Sequence, residues 1–240
     1  MSNPLGIQSY LWQGAPFNQY NLGFTTKPVK DQMSAHLTAS GGSYTGKELV
    51  TVLAGANDVF VELGSVAAGA QTPQAAVTNV ATAGADAGPA DQDHGGRQGR
   101  QAGSGHEHVP DMVSTPFGQH LDAQTRGLIE AMTQAFNAQL AAQLAGVSGV
   151  VLGDLYSEFK AMAANPAQYA VTNATTPACG PNALSNPPSA PGTSLVCNAS
   201  NVISGDISHY YFADDVHPTP FGQQLLSQFA ARAMAQAGWL

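Results

Sequence analysis

Two short apolar runs limit what this chain can fold into. Leu49-Val-Thr-Val-Leu-Ala54 and Gly149-Val-Val-Leu152 are rich in β-branched residues and apolar on both alternating faces, the pattern of strands covered on two sides. Each ends at a turn-forming residue, Gly55 or Asp154. Stretches with the helical period surround them. Gln124 to Leu144 repeats Leu128, Met132, Phe136, Leu140 and Leu144, and Pro220 to Ala237 aligns Phe221, Leu225, Phe229 and Ala233. Thr219 as N-cap and Pro220 at the first helical position set where the last helix begins. Pro28 to Leu37 predicts a shorter helix with Val29, Met33 and Leu37 in line, stopped by Ser40-Gly41-Gly42-Ser43. Pro73 to Ala85 is Ala-rich and reads as a helix or its start, and Met1 to about Gly23 lacks any sustained period and reads as irregular loop. Strands alternating with helices of this length imply an α/β protein with a parallel sheet.

The 240 residues are enough for one sizeable core, and a single domain over 1–240 is the expectation. A net charge of -8 supplies none of the positive field that draws in a phosphate backbone, so nucleic acid is not an expected partner. No apolar run is long enough for a transmembrane segment, and Met1-Ser-Asn-Pro-Leu-Gly6 has neither the basic nor the apolar part of a signal peptide. Cys179 and Cys197 cannot build a structural zinc site alone. They form one disulfide or remain two thiols. A disulfide would close the Pro/Asn/Ser-rich loop Gly180 to Val196, contribute roughly 3 kcal/mol, and pin that loop ahead of the residues from Phe212 onward.

One segment does not behave like protein core. Ala87 to His108 contains no Val, Ile, Leu, Met, Phe, Tyr or Trp, so nothing in it is expected to be buried and disorder is the natural reading. An α/β domain should instead place a helix and a strand there. The genetic code allows an explanation: codons for Asp91-Gln-Asp-His-Gly-Gly-Arg97 and Ala102-Gly-Ser-Gly-His-Glu-His108, read one base later, can spell an amphipathic helix and a Val-type strand. An internal frameshift, with the frame restored near Val109-Pro110-Asp111, and a natural disordered insert are the two readings. His94, His106 and His108 add a third, a metal-binding tract, although no Cys or carboxylate spacing completes a site.

Two constellations carry chemistry. Gly55-Ala-Asn57-Asp58 follows the first strand, and groups at the carboxyl ends of strands in open α/β sheets face the ligand crevice. There Asn57 could direct its amide at a developing oxyanion, Gly55 could let the backbone pass close to substrate, and Asp58 could hold the turn by accepting N–H bonds. Asn-Asp after a strand is also ordinary turn chemistry. Further on, Asp214-Asp-Val-His217-Pro218 precedes the last helix. Asp214 can accept the Nδ1 proton of His217 and leave Nε2 free to take a proton from a nucleophile. Alternatively, Asp214 or Asp215 caps local backbone and His217 is only a surface residue.

Taken together, Gly55-x-Asn57-Asp58 and Asp214-x-x-His217-Pro218 resemble the third and fifth sequence blocks of the SGNH (GDSL) esterase and lipase family. The extracellular bacterial branch is the part resembled, through Glu48 to Phe60, Val109-Pro-Asp111, Asn173 to Cys179, Ser194-Leu-Val-Cys197 and Tyr211 to Thr219. The resemblance runs from about Leu22 to the C-terminus and is interrupted at 87–108. It implies a flavodoxin-like three-layer α/β/α fold, hydrolysis of carboxylic esters without metal or cofactor, a small-molecule or lipid ester as partner, and a secreted or cell-envelope location. It also implies that His217 is the general base, Asp214 its orienting partner and Asn57 an oxyanion-hole donor. The family's nucleophilic Ser, in a Gly-Asp-Ser block on the first strand, has no match. Ser2 and Ser9 stand in unrelated contexts, and Gly6, Gly14 and Gly23 do not match the second block.

By this resemblance the chain begins after both blocks, its N-terminal strand or strands are missing, its stability is poor, and turnover is weak or absent. A non-catalytic remnant that keeps the crevice is the alternative, and a His-rich metal binder the third reading. For the frameshift, the nucleotide sequence is the check: codons 87 to 108 read one base later are expected to run without stops into a Val-rich strand, and stops or polar codons there refute it.

Overall fold

The computed structural model describes residues 28–42, 49–95, 103–185 and 192–240; the readings made on Met1 to Gly23, including Ser2, Ser9, Gly6, Gly14 and Gly23, lie outside the described residues. The chain is α/β: among the described residues, helices alternate with an open parallel sheet of three strands in the order β1 (Leu49–Leu53), β2 (Gly103–Glu107), β3 (Val150–Gly153). It divides into two compact units, one of residues up to His106 with Gln134–Val150, the other of Glu107–Thr133 with Val151–Leu240.

In the first unit, α1 (Val29–Ala39) buries Met33 and stops at Ser40, after which Gly41 and Gly42 both take φ of +79°. The Pro28 to Leu37 expectation is met. β1 departs from its expected burial on two faces: Leu49 and Leu53 are about half exposed, and the strand alternates exposed with half-buried residues.

Helix α2 (Ala56–Ala67) has no counterpart in the sequence reading because its inward face is polar. Asp58 and Glu62 are buried beside Val59, and Asn79 donates to the Glu62 carboxylate at 3.1 Å while the Gln71 amide donates to the same oxygen. The amide donors on Glu62 satisfy the rule that interior charge must be hydrogen-bonded, and the two buried carboxylates erase the apolar period that announces a helix.

The polar segment is where expectation and structure part most. Helix α3 runs Pro73–Gly95, ten residues past the Ala-rich part, and β2 follows at Gly103–Glu107 as the central strand. Residues 87–95 are thus helical and 103–107 a strand, and Ala87, Gly88 and His106 are buried. Burial of α3 comes from smallness rather than apolar bulk. A Cβ on Gly84 would stand 2.4 Å from the Phe136 carbonyl oxygen, and one on Gly88 2.2 Å from Gln143 Cβ, so these glycines let α3 close against α5 (Ala123–Leu144). β2 reads Gly-Ser-Gly-His-Glu and has poor strand propensity. Its place between two partner strands pairs its backbone on both sides, which overrides propensity.

The second unit is built on an aromatic core. α6 (Leu155–Ala164) begins where the Asp154 side chain accepts the Ser157 N–H, and its Leu155, Phe159 and Met162 pack with Val171, Tyr211 and Phe212. Phe159 meets Tyr211 edge-on at 5.3 Å, and Tyr211 meets Phe212 at 4.8 Å. Such pairs contribute about 0.5–1.5 kcal/mol beyond their burial. α7 (Pro220–Gln236) starts as expected, with Thr219 capping through Gly222 N–H, and lays Phe221, Leu225 and Phe229 on this core. In α5 the expected stripe is buried except at its first position, where Leu128 is only partly covered and Ile129 takes the interior place.

Burial lifts the Glu107 carboxyl to about 7. Its folded form thus holds the proton more tightly than the unfolded chain, so the contribution of Glu107 to stability is greatest below about pH 4.5 and declines as pH rises toward 7. Glu107→Gln is expected to raise stability at pH 8 by on the order of 2 kcal/mol and to leave it nearly unchanged at pH 4, as measured by urea unfolding at the two pH values.

Candidate active site

The residues from Tyr211 to Thr219 form a tight loop clamped from below. Tyr211 and Phe212 are buried in the aromatic core; Phe212 and Pro218 pair as an antiparallel bridge, and Ala213 N–H donates to the His217 carbonyl at 2.7 Å. Thr219 N–H donates to the Tyr211 carbonyl at 2.8 Å, and its hydroxyl donates to the Tyr210 carbonyl at 2.5 Å. A Cβ on Gly222 would lie 2.5 Å from the Tyr211 carbonyl oxygen and 2.7 Å from Pro218 Cβ. Only glycine lets the first turn of α7 press directly onto the loop.

Asp214 is the centre of that loop. Its carboxylate is buried, and Oδ1 accepts the Val216 N–H at 3.0 Å and the His217 N–H at 2.7 Å, while Oδ2 accepts the Ser194 N–H at 2.8 Å. The imidazole Nδ1 of His217 lies 3.0 Å from Oδ1 and 2.9 Å from Oδ2. With Asp214 ionised, Nδ1 carries the proton and donates, and Nε2 is left with its lone pair on a side chain that is 52% exposed. One carboxylate thus does two things: Asp214 caps the local backbone and hydrogen-bonds the imidazole. Asp215 instead offers its carbonyl to the Phe117 N–H at 3.0 Å.

Electrostatics follow from this geometry. Burial alone would raise the Asp214 carboxyl, but the His217 ring and the N–H groups of Ser194, His217 and Val216 outweigh it and hold the group well below the usual carboxylate range. The Asp214 hydrogen bond raises His217 above the ordinary imidazole value despite burial, which acts the other way. Burial, reinforced by the neighbouring Asp214 charge, pushes Asp215 up.

In the first unit, Gly55 caps α2 with φ of +110°, a left-handed conformation that costs a non-glycine residue about 1–2 kcal/mol. Asn57 is half-buried in the first turn of α2, immediately beyond the carboxyl end of β1. Asp58, fully buried in the same turn, stands where the helix dipole favours a carboxylate. Asp214 and His217 are brought together by the second unit, and Gly55, Asn57 and Asp58 by the first.

Cys179 and Cys197 form the disulfide, with Cα atoms 5.8 Å apart. The His-rich tract finds other uses. His108 sets Nδ1 3.1 Å from Asp154 Oδ1, His106 is buried in β2, and the His94 side chain lies outside the described ones. Among the described residues no group of three or more His, Cys, Asp or Glu is placed to hold a metal ion. Two contacts went unread in the sequence. Neither the Ser194 amide at Asp214 nor the Asp154 partner of His108 leaves a local signal, since each joins positions 20 or 46 residues apart.

A buried carboxylate holds the imidazole through Nδ1 and leaves Nε2 with its lone pair, on a loop ahead of the last helix of an α/β chain, an arrangement able to accept a proton. The GDSL-like Lipase/Acylhydrolase family model matches residues 2–229, and the chain belongs to that family. No curated protein matches the sequence.

The two shifts make the His217–Asp214 pair most stabilising between about pH 4 and 6.5. Below that window the carboxylate is protonated as pH falls through its depressed folded value, and above it the imidazole loses its proton as pH rises through its raised one. NMR titration is expected to give His217 a pKa above 6.5, and Asp214→Asn to bring it down to about 6.5 or lower. An unchanged titration in the variant would break the assignment of the pair.

Proposed function

We propose that this chain is an acyl hydrolase in which His217 acts as general base, Asp214 orients and stabilises the imidazolium that forms, and Asn57 donates to the oxyanion of the tetrahedral intermediate. The observation that carries the reading is the His217 Nδ1 to Asp214 contact at 2.9 Å, with Nε2 directed away from the carboxylate on a half-exposed ring. Membership of the acylhydrolase family supports it, and a match spanning 2–229 supports one domain over the whole chain. In such a step Nε2 takes the proton of an attacking hydroxyl as that oxygen adds to the ester carbonyl, then returns it to the departing alcohol. The oxyanion meets the Asn57 amide, a donor worth about 10²–10³ in rate when preorganised.

Esters of small acids or of lipids are the substrate class. The Cys179–Cys197 disulfide is of the kind that persists in oxidising compartments, which supports a secreted or envelope location. Among the described residues no helix is long and apolar enough to cross a membrane. The 240 residues contain no Gly-Asp-Ser, which favours a second reading in which the chain keeps the crevice without rapid chemistry, since loss of one triad member costs on the order of 10⁴ to 10⁶ in rate.

A fluorophosphonate probe separates the two. The hydrolase reading expects covalent labelling of a serine in the folded chain, identified by mass spectrometry and abolished in His217→Ala. It also expects p-nitrophenyl ester hydrolysis to fall by about 10²–10³ in Asn57→Ala. Folded protein that takes no label and turns over no ester supports the non-catalytic reading and overturns the enzyme.

A further inference from the structure

The disulfide-closed loop reaches Asp214 through the Ser194 N–H, which donates to Oδ2 at 2.8 Å. We propose that the main-chain N–H of Ser194 is a positioning group for Asp214, and that the Cys179–Cys197 bridge serves chiefly to hold that donor in place. The inference rests on the hydrolase reading for its purpose, but its geometry is independent of turnover.

Asp214 takes three backbone donors, and two of them, Val216 and His217, belong to its own turn and come with the local fold. The third comes from 20 residues away, and it is the one that binds Oδ2, the oxygen nearer to His217 Nδ1. Without it the carboxylate keeps its two Oδ1 donors but loses what fixes its rotation about the side-chain axis, on which the direction of the Nδ1 hydrogen bond depends. The described part of this Pro-, Gly- and Asn-rich loop exposes its leucines, Leu195 at 62% and Leu184 at 57%, and so draws little support from apolar burial. Its anchors are elsewhere. Thr193 caps the short 3₁₀ turn Ser194–Val196 by accepting the Leu195 N–H, the Asn182 amide donates to the Thr193 carbonyl at 2.9 Å, and Cys197 N–H donates to the Ser194 carbonyl at 3.2 Å.

The other half of the bridge is built into the catalytic loop. Cys179 N–H donates to the Ala213 carbonyl at 2.8 Å, and Ala178 N–H to the Phe212 carbonyl at 2.9 Å, so Cys179 is tied to the residue preceding Asp214. Cys197 is three residues beyond Ser194. The disulfide therefore joins the strand-like support of Asp214 on one side to the donor of Asp214 on the other, and closes a ring that contains the Ser194 hydrogen bond.

The test removes the donor and little else. Ser194→Pro deletes the N–H at the first position of a 3₁₀ turn, where proline is tolerated, and Thr193 at φ -69° and ψ 145° already has the conformation that a residue before proline prefers. Carboxyl-carbon NMR of Asp214 is expected to show its pKa raised by roughly one unit in Ser194→Pro, as follows from losing one of three backbone donors. Ser194→Ala, which keeps the N–H, is expected to titrate as the native chain does. Wild-type protein reduced with a phosphine, and the Cys179→Ser/Cys197→Ser chain, are expected to shift in the same direction as Ser194→Pro. A native Asp214 titration in Ser194→Pro overturns the role of the amide, and a native titration after reduction overturns that of the disulfide; if the proline variant does not fold, reduction of the native chain alone decides. Failure of ester hydrolysis with these shifts intact would sink the hydrolase reading and leave this one standing.

Discussion

A single buried carboxylate organises the second unit. Asp214 could not stay ionised in that position without donors, because an uncompensated charge removed from water is costly. Three main-chain N–H groups and an imidazole meet it. Each of those donors in turn fixes a piece of chain: the turn to His217, the loop to Ser194 and the ring itself. Orientation of the imidazole and local folding are here one interaction, so a change at Asp214 disturbs both.

Aromatic packing beneath the loop makes this arrangement possible. Phe159, Tyr211 and Phe212 meet edge to face, and Gly222 lets α7 close over them with its N-terminal turn against Tyr211. The loop therefore stands on side chains that have little freedom, which is what an imidazole held to hydrogen-bond tolerance requires. The first unit applies a different economy. Its helices approach through glycine and alanine, and its buried polar groups, Asp58 and Glu62, lie on the face of α2 that would otherwise be apolar.

Ala87 to His108 holds no large apolar residue, yet the helix and strand that an α/β domain should place there are present in part, as α3 continues to Gly95 and β2 lies between β1 and β3. Apolar bulk is one way to be buried. Close backbone approach is another, and a central strand is held through main-chain pairing whatever its side chains. The consequence is carried by titratable groups: Glu107 is held near neutral pH by its burial, and His108 is turned toward Asp154.

The sequence by itself determined the α/β class, the period of α1, α5 and α7, the cap at Thr219, and the couple of Asp214 with His217, because each of these depends on residues within a few positions of one another. Local period and local turn chemistry need no knowledge of the rest of the chain. Only the tertiary structure decided that α2 and β2 exist, that one face of β1 is exposed, and that Ser194 and Asp154 complete the hydrogen bonding of Asp214 and His108. Those outcomes depend on which distant segments happen to lie alongside, and a hydrogen bond across 20 or 46 residues leaves no trace in the order of the amino acids between its ends.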